Sequence, residues 1–172
     1  MNGSAVVLAA TLQMACLDPS AASALPEPVV RAACPPAATA VREALSLLGT
    51  PYRRGSLDPR RGLDCSSLVR RVYRPLGLDL PFSAAGQLSV GEQVERESLA
   101  PGDLVFFRNT YKRGISHVGI SLGGDRFVHA ASRRRGVVVS SLDQPYYRQR
   151  FAGARRLLEA AAPGLATSLP PL

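Results

Sequence analysis

The chain changes its apolar period near residue 100, and that change limits the folds open to it. Before that point apolar residues recur at helical spacing. Residues 38–48 put Val41, Leu45 and Leu48 on one stripe, and Gly49 and Pro51 follow as stop signals. A second helix is predicted to start near Asp64. Its Leu68, Val69, Val72, Tyr73 and Leu76 share a face, and Gly77 ends it. Ser83 is suited to cap a short third helix reaching about Val90. Strand-like runs then appear at 103–108, 117–122, 126–131, 136–142 and 150–158, parted by Gly- and Pro-containing turns. Helices first and strands later predict an α+β layer fold, with the helix that begins at Asp64 packed on an antiparallel sheet. No internal repeat is visible, and 172 residues suit one domain with a core.

Composition narrows the partners. The apolar fraction of 46% is ordinary for a globular protein, while the net charge is +8 and Lys112 is the only lysine. Such a surface attracts anions. No C-x-x-C pair, aromatic-rich RNA-binding signature or helix-turn-helix pattern is present, so an anionic wall or membrane surface is expected and no nucleic acid. The arginine runs at 53–54, 60–61, 70–71 and 133–135 also have a plain reading as solvated faces.

Residues Ala5 to Leu12 form an apolar run too short to span a bilayer but suited to an export signal, although no charged side chain precedes it. Met14-Ala15-Cys16 resembles the end of a bacterial lipoprotein signal, with Cys16 the residue to be lipidated and Gln13 a departure from the usual small or apolar residue. A cleaved soluble signal is one alternative, and a misassigned start or a buried helix is the other. The expected organisation is a signal over 1–16, a flexible linker over 17–36, a catalytic domain over 37–159 and a disordered tail over 160–172. The protein is then exported to the cell envelope, anchored by lipid or otherwise secreted or periplasmic. Three cysteines, Cys16, Cys34 and Cys65, argue against a closed disulfide framework, and Cys34 receives no role.

Cys65 carries the chemistry. It falls at the predicted helix start, where the macrodipole and unpaired N–H groups favour a thiolate, so its pKa is expected below the usual value of about 8.5. The chain has only two histidines, His117 and His129, both in one predicted hairpin. With Gly123-Gly124-Asp125 as a three-residue loop, Gly119 pairs with His129 and His117 with Ala131. His117, Gly119 and Ser121 then share a face with Phe127, His129 and Ala131, opposite an apolar set of Val118, Ile120, Leu122, Val128 and Ala130. The two histidines become diagonal neighbours, and Gly119 leaves room for a helix terminus. A two- or four-residue loop would part them. With Cys65 above the histidine face, His117 is placed to act as base and His129 to orient it, the logic of a cysteine hydrolase. Taken singly, a buried cysteine or a strand histidine is usually structural. No metal and no cofactor are expected, because a zinc site needs more ligands at metal-centred spacing.

From about Ala40 to Leu158 the chain resembles the NlpC family of bacterial cell-wall cysteine peptidases. The matching segments begin with Leu48-Gly49-Thr50-Pro51-Tyr52-Arg53-Arg54-Gly55 and Leu63-Asp64-Cys65-Ser66-Ser67-Leu68-Val69. They continue with Pro81-Phe82-Ser83-Ala84-Ala85-Gly86-Gln87, Leu99-Ala100-Pro101-Gly102-Asp103-Leu104-Val105-Phe106-Phe107, His117-Val118-Gly119-Ile120-Ser121-Leu122-Gly123-Gly124 and Arg126-Phe127-Val128-His129-Ala130. The resemblance implies a papain-like fold with the nucleophile at a helix N-terminus. It implies Cys65 as nucleophile, His117 as base, His129 as the polar third member and Tyr52 as an oxyanion donor beside the Cys65 N–H. Asp64, Ser66 and Ser83 are expected substrate contacts. Tyr52 also reads as a packed loop aromatic, and Asp64 as a helix cap. Ser67 and Ser56 stand where the family commonly has glycine, and Phe82 where it is often basic.

The expected reaction is hydrolysis of an amide in the peptidoglycan stem peptide, by resemblance the γ-D-glutamyl–meso-diaminopimelate bond, by a monomer. A wall-binding protein without turnover, or another amidase or acyltransferase of the same superfamily, are the alternatives.

Overall fold

The computed structural model describes residues 35–158. The expected signal with Cys16, nearly all of the linker, Cys34 and the tail lie outside the described residues. Helix α1 spans Pro36–Ser46 with proline at its first position, where no N–H is missed. It starts inside the expected linker, and its buried stripe is not the expected one. Ala40, Ala44 and Leu47 are buried, while Leu45 and Leu48 are 39% and 44% exposed. Small alanines let the helix lie close on its neighbour, and the larger leucines turn outward.

Helix α2 spans Cys65–Tyr73 and continues as a 3-10 turn over Arg74–Leu76, which Gly77 ends in the left-handed region at φ 83°. Leu68, Val69, Val72 and Tyr73 are buried as expected, each apolar one stabilising the fold by about 1.5–3 kcal/mol. The Tyr73 hydroxyl donates to the Gly102 carbonyl, pinning the helix to the loop before the sheet. Helix α3, Ala84–Leu88, is shorter than expected and is capped by Ser83, whose Oγ accepts the Gly86 N–H at 3.1 Å.

Six antiparallel strands follow: β1 (Glu92–Val94), β2 (Leu104–Arg108), β3 (Ile115–Gly123), β4 (Arg126–Ser132), β5 (Gly136–Ser141) and β6 (Phe151–Arg156), in the order β1-β6-β2-β3-β4-β5. All five expected strands are present. The short edge strand β1 and a helix α4 over Pro145–Arg150 were not expected. The buried Asp103 carboxylate takes a bidentate bond from Arg156, 2.8 and 2.7 Å, and ties the start of β2 to β6.

The sheet has two packed faces. Leu104, Phe106, Val118, Ile120, Val128 and Ala130 meet α1 and α2 in one cluster that includes Cys65. Val105, Phe107, Phe127, Leu142, Tyr147 and Ala154 form a second cluster on the other face. The β3–β4 register agrees with the expected hairpin, Ile120 opposite Val128 and Ser121 opposite Phe127, but by a different turn. Gly123 pairs with Arg126, Leu122 is the irregular residue, and Gly124-Asp125 make a two-residue turn. The extra residue on β3 cancels the shorter loop, so both histidines keep one face.

Candidate active site

The apolar face of the hairpin covers the helices, and the histidine face lies on the opposite side, against Phe107, Phe127 and Tyr147. Cys65 is therefore not above the histidine face, as the sequence suggested. The thiol meets β3 instead, at the residue after His117. Pairing of β3 with β4 runs from Ile120–Val128 towards the turn, and the Val118 N–H is directed at the Cys65 sulfur. That bond sets the sulfur against the peptide that follows His117. Gly119 leaves no open space there: a Cβ on it would sit 2.6 Å from the Phe127 ring and 2.9 Å from the Val128 carbonyl oxygen.

His117 and His129 do meet. His117 Nε2 lies 2.7 Å from His129 Nδ1, with the rings nearly perpendicular at 85°. His129 Nε2 lies 3.0 Å from Ser140 Oγ and 3.3 Å from the Tyr147 hydroxyl. Two tautomers satisfy these bonds, one with hydrogen on both Nε2 atoms and one with hydrogen on both Nδ1 atoms, and in either the His117 ring is held by His129. The relay is buried throughout. Ser140 and Tyr147 received no role from the sequence. Ser140 was within reach of it, since it pairs with Phe127 and so shares the His129 face of a strand otherwise rich in valine.

Asp64 caps α2. Its Oδ1 accepts the Ser67 N–H at 2.8 Å and the Ser66 hydroxyl at 3.0 Å, and its Oδ2 accepts the Gly55 N–H at 2.6 Å. Three of its four lone pairs are used inside the protein. Asp64 and Ser66 are both buried and bonded to each other, whereas Ser83 is exposed and spends its oxygen on a cap. Gln87, a further residue without an expected role, donates from Nε2 to the Ser66 and Pro81 carbonyls and braces the first turn of α2.

Tyr52 is held near Cys65 by a short parallel bridge to Leu63, with the Arg53 N–H on the Leu63 carbonyl at 3.1 Å and the Leu63 N–H on the Pro51 carbonyl at 2.9 Å. Gly62 makes this approach possible: at φ 106°, a Cβ would stand 2.6 Å from the Pro51 carbonyl oxygen. Tyr111, in the loop between β2 and β3, stands within the electrostatic reach of Cys65 as Tyr52 does.

Burial pushes the Cys65 thiol up to about 11, helped by the Asp64 charge and opposed by the N–H groups of Val118, Ser66 and Cys65 itself. The lowered thiol expected from the helix start is thus reversed by burial. Burial also holds His117 down to about 4, with Asp64 pulling the other way, and holds His129 well below the usual histidine range. Burial and the Cys65 and Asp64 charges push Tyr52 up to about 12, so it stays a hydroxyl donor. Burial thus disfavours the charged form of the thiol and of both imidazoles.

A helix-start thiol, a buried imidazole pair and a phenol on an α+β frame define a cysteine-hydrolase type of site. A profile of the NlpC/P60 family matches residues 49–156. This chain belongs to the NlpC/P60 family. It is 46% identical over 117 residues to the gamma-DL-glutamyl hydrolase of Bacillus subtilis, covering 67% of this chain and 28% of that protein. It is 43% identical over 113 residues to the murein DD-endopeptidase MepS/murein LD-carboxypeptidase of Escherichia coli, covering 64% of this chain and 57% of that protein. The chain therefore spans less than two thirds of the length of these relatives. A crystal structure of an NlpC/P60 family protein from Bacillus cereus superposes with a TM-score of 0.66 at 31% identity, covering 71% of this chain and 40% of that one.

Proposed function

We propose that the protein is a cysteine peptidase that hydrolyses an amide of the peptidoglycan stem peptide, at the bond between γ-D-glutamate and meso-diaminopimelate. The observation that carries this reading is the chain of bonds from His117 Nε2 through His129 to Ser140, which holds the His117 ring in place one residue before the N–H of Val118 that is directed at the Cys65 thiol. Relatives named for murein and for γ-glutamyl bonds support the substrate class.

As Cys65 Sγ attacks the carbonyl carbon, its proton passes to His117 Nδ1. The tetrahedral oxyanion forms beside the Cys65 N–H and the Tyr52 hydroxyl, two donors fixed before substrate arrives. His117 returns the proton to the leaving amine nitrogen, the C–N bond breaks, and a thioester remains on Cys65. Water then attacks the thioester and gives its proton to His117, and that proton returns to the departing sulfur. His129 acts as a positioning residue: it holds the His117 ring in place through Nε2 and leaves Nδ1 free to take the proton.

Two relatives named for different bonds make the alternative concrete, a neighbouring amide of the same peptide. Digestion of defined muropeptides, with products identified by mass, separates them. Fragments ending in γ-D-glutamate support this reading; cleavage only at another amide of the stem peptide supports the alternative, cleavage only between sugar and L-alanine replaces it with an amidase, and no products leaves a wall-binding protein. The proposal includes export and a lipid anchor on Cys16. Cys16→Ser should move the protein from the membrane fraction to the soluble one, and a wild type already soluble removes the anchor.

A further inference from the structure

The loop that leads from Tyr52 to the nucleophile encloses an open cavity of about 370 Å³, lined by Arg53, Arg54, Arg61 and Asp58 with Gly55, Ser56 and Leu57. Three guanidinium groups border it. Among the described residues, none of the three pairs with a carboxylate. Asp58 is the one acid in the lining, and its Oδ1 accepts the Arg60 N–H at 3.0 Å. The cavity thus carries an excess of positive charge that the protein does not neutralise. A second cavity of about 330 Å³ shares Leu57 and is lined by Arg70, Arg71 and Arg74, but there Arg70 faces Asp79 at 3.3 Å and Arg71 faces Glu43 at 3.5 Å. The unneutralised charge is concentrated in the first.

Two links tie the lining of that cavity to the residues around Cys65. Gly55, in its lining, donates to the carboxylate that caps the nucleophile's helix. The Arg54 guanidinium lies 6.0 Å from the centre of the Tyr111 ring and acts electrostatically on both Tyr52 and Tyr111, the two phenols that feel Cys65.

We infer that the cavity lined by Arg53, Arg54 and Arg61 is a subsite for a carboxylate of the substrate peptide. The inference rests on the proposed stem-peptide substrate and names the charge that this site prefers. A γ-linked glutamate leaves its α-carboxylate free, and diaminopimelate carries carboxylates on the leaving side; both are the same chemistry to an arginine fork. The site then favours free-acid peptides over their carboxamide counterparts, which keep the shape and lose the charge.

The test measures binding rather than turnover, so it does not share the fate of the proposed reaction. Full-length protein carrying Cys65→Ala is titrated by calorimetry with L-alanyl-γ-D-glutamyl-diaminopimelate and with two analogues, one with the glutamate α-carboxyl amidated and one with the diaminopimelate carboxyls amidated. One amidation should weaken binding about tenfold, the scale of one charge-assisted contact, and its identity tells which carboxylate is held. Arg54→Gln with Arg61→Gln should remove the preference, whereas Arg126→Gln with Arg148→Gln, the same loss of charge outside the cavity, should keep it. Equal affinity for all three peptides, no detectable binding of the free acid, or an equal loss in both double variants overturns the inference. Loss of turnover with this preference intact would instead count against the proposed reaction alone.

Discussion

The histidine relay and the loops around Cys65 that form the rim are built in opposite ways. His117, His129, Ser140 and Tyr147 are buried, sit on strands β3, β4 and β5 and on α4, and are packed by Phe107 and Phe127. Arg53, Arg54, Arg61 and Tyr111 are exposed, sit on loops and are held by few side-chain bonds. The relay must keep one proton geometry, so it is fixed by strand register and by the core itself. The rim meets solvent and substrate, so its residues can change without disturbing that geometry. A substitution in the relay should therefore cost both activity and stability, and one in the rim activity alone.

His117→Ala breaks the relay at its working end and should give the largest loss in kcat among the relay substitutions, on the order of 10²–10⁴-fold, the usual worth of a general base. His129→Ala should cost less turnover, because water can replace part of its orienting bond, yet lower unfolding free energy by about 2–4 kcal/mol through lost packing and an unpaired Ser140. Chemical denaturation beside steady-state rates reads both. A His129→Ala protein with wild-type stability would erase the contrast between relay and rim.

The two regions should also part in their response to acid. Burial holds both histidines below their ordinary value, His117 at about 4. Between about 4 and the unfolded value near 6.5, the unfolded chain binds protons that the fold refuses. Stability should therefore fall as pH is lowered through that window and return as pH rises. His117→Ala should flatten part of this slope, and Arg54→Gln should leave it unchanged, as urea midpoints at pH 7 and pH 5 would show. A slope untouched by His117→Ala would place the acid sensitivity elsewhere.

Smaller effects should follow at the outer end of the relay and in the rim. Tyr147→Phe removes one long bond of 3.3 Å, with Ser140 still at 3.0 Å, and should lower kcat only a few-fold. Tyr111→Phe should change KM more than kcat and leave the thermal midpoint within about 1–2 °C. A rim substitution that destabilised the fold as much as His129→Ala would contradict the division.

Much of the relay was legible because strand alternation decides which side chains meet. His117 and His129 share a face in the structure as they do in the sequence, although a bulge at Leu122 with a two-residue turn replaces the expected loop. Alternation could not say which face the helices cover, because both faces are apolar enough to pack; Phe107 and Phe127 fill the side that looked open. Burial was equally hidden from local pattern. The macrodipole at Cys65 is visible in sequence, but the desolvation that outweighs it comes from the sheet beneath. Tyr147 and β1 lie in pieces too short for a period to show, and α1 turned by one residue because Ala40 and Ala44 pack closer than leucine allows. Rim residues such as Tyr111 and the lining of the cavity follow from loop conformation, which no period records.

The central claim is that one buried thiol, served by His117, carries the acyl group. The most direct measurement is rapid acid quench of wild-type protein with a stem peptide, followed by peptide mapping. A thioester carrying the γ-D-glutamyl fragment on the peptide that contains Cys65 is the expected result, absent in Cys65→Ala and scarce in His117→Ala. Hydrolysis that continues in Cys65→Ala, or an acyl adduct on any other residue, would contradict it.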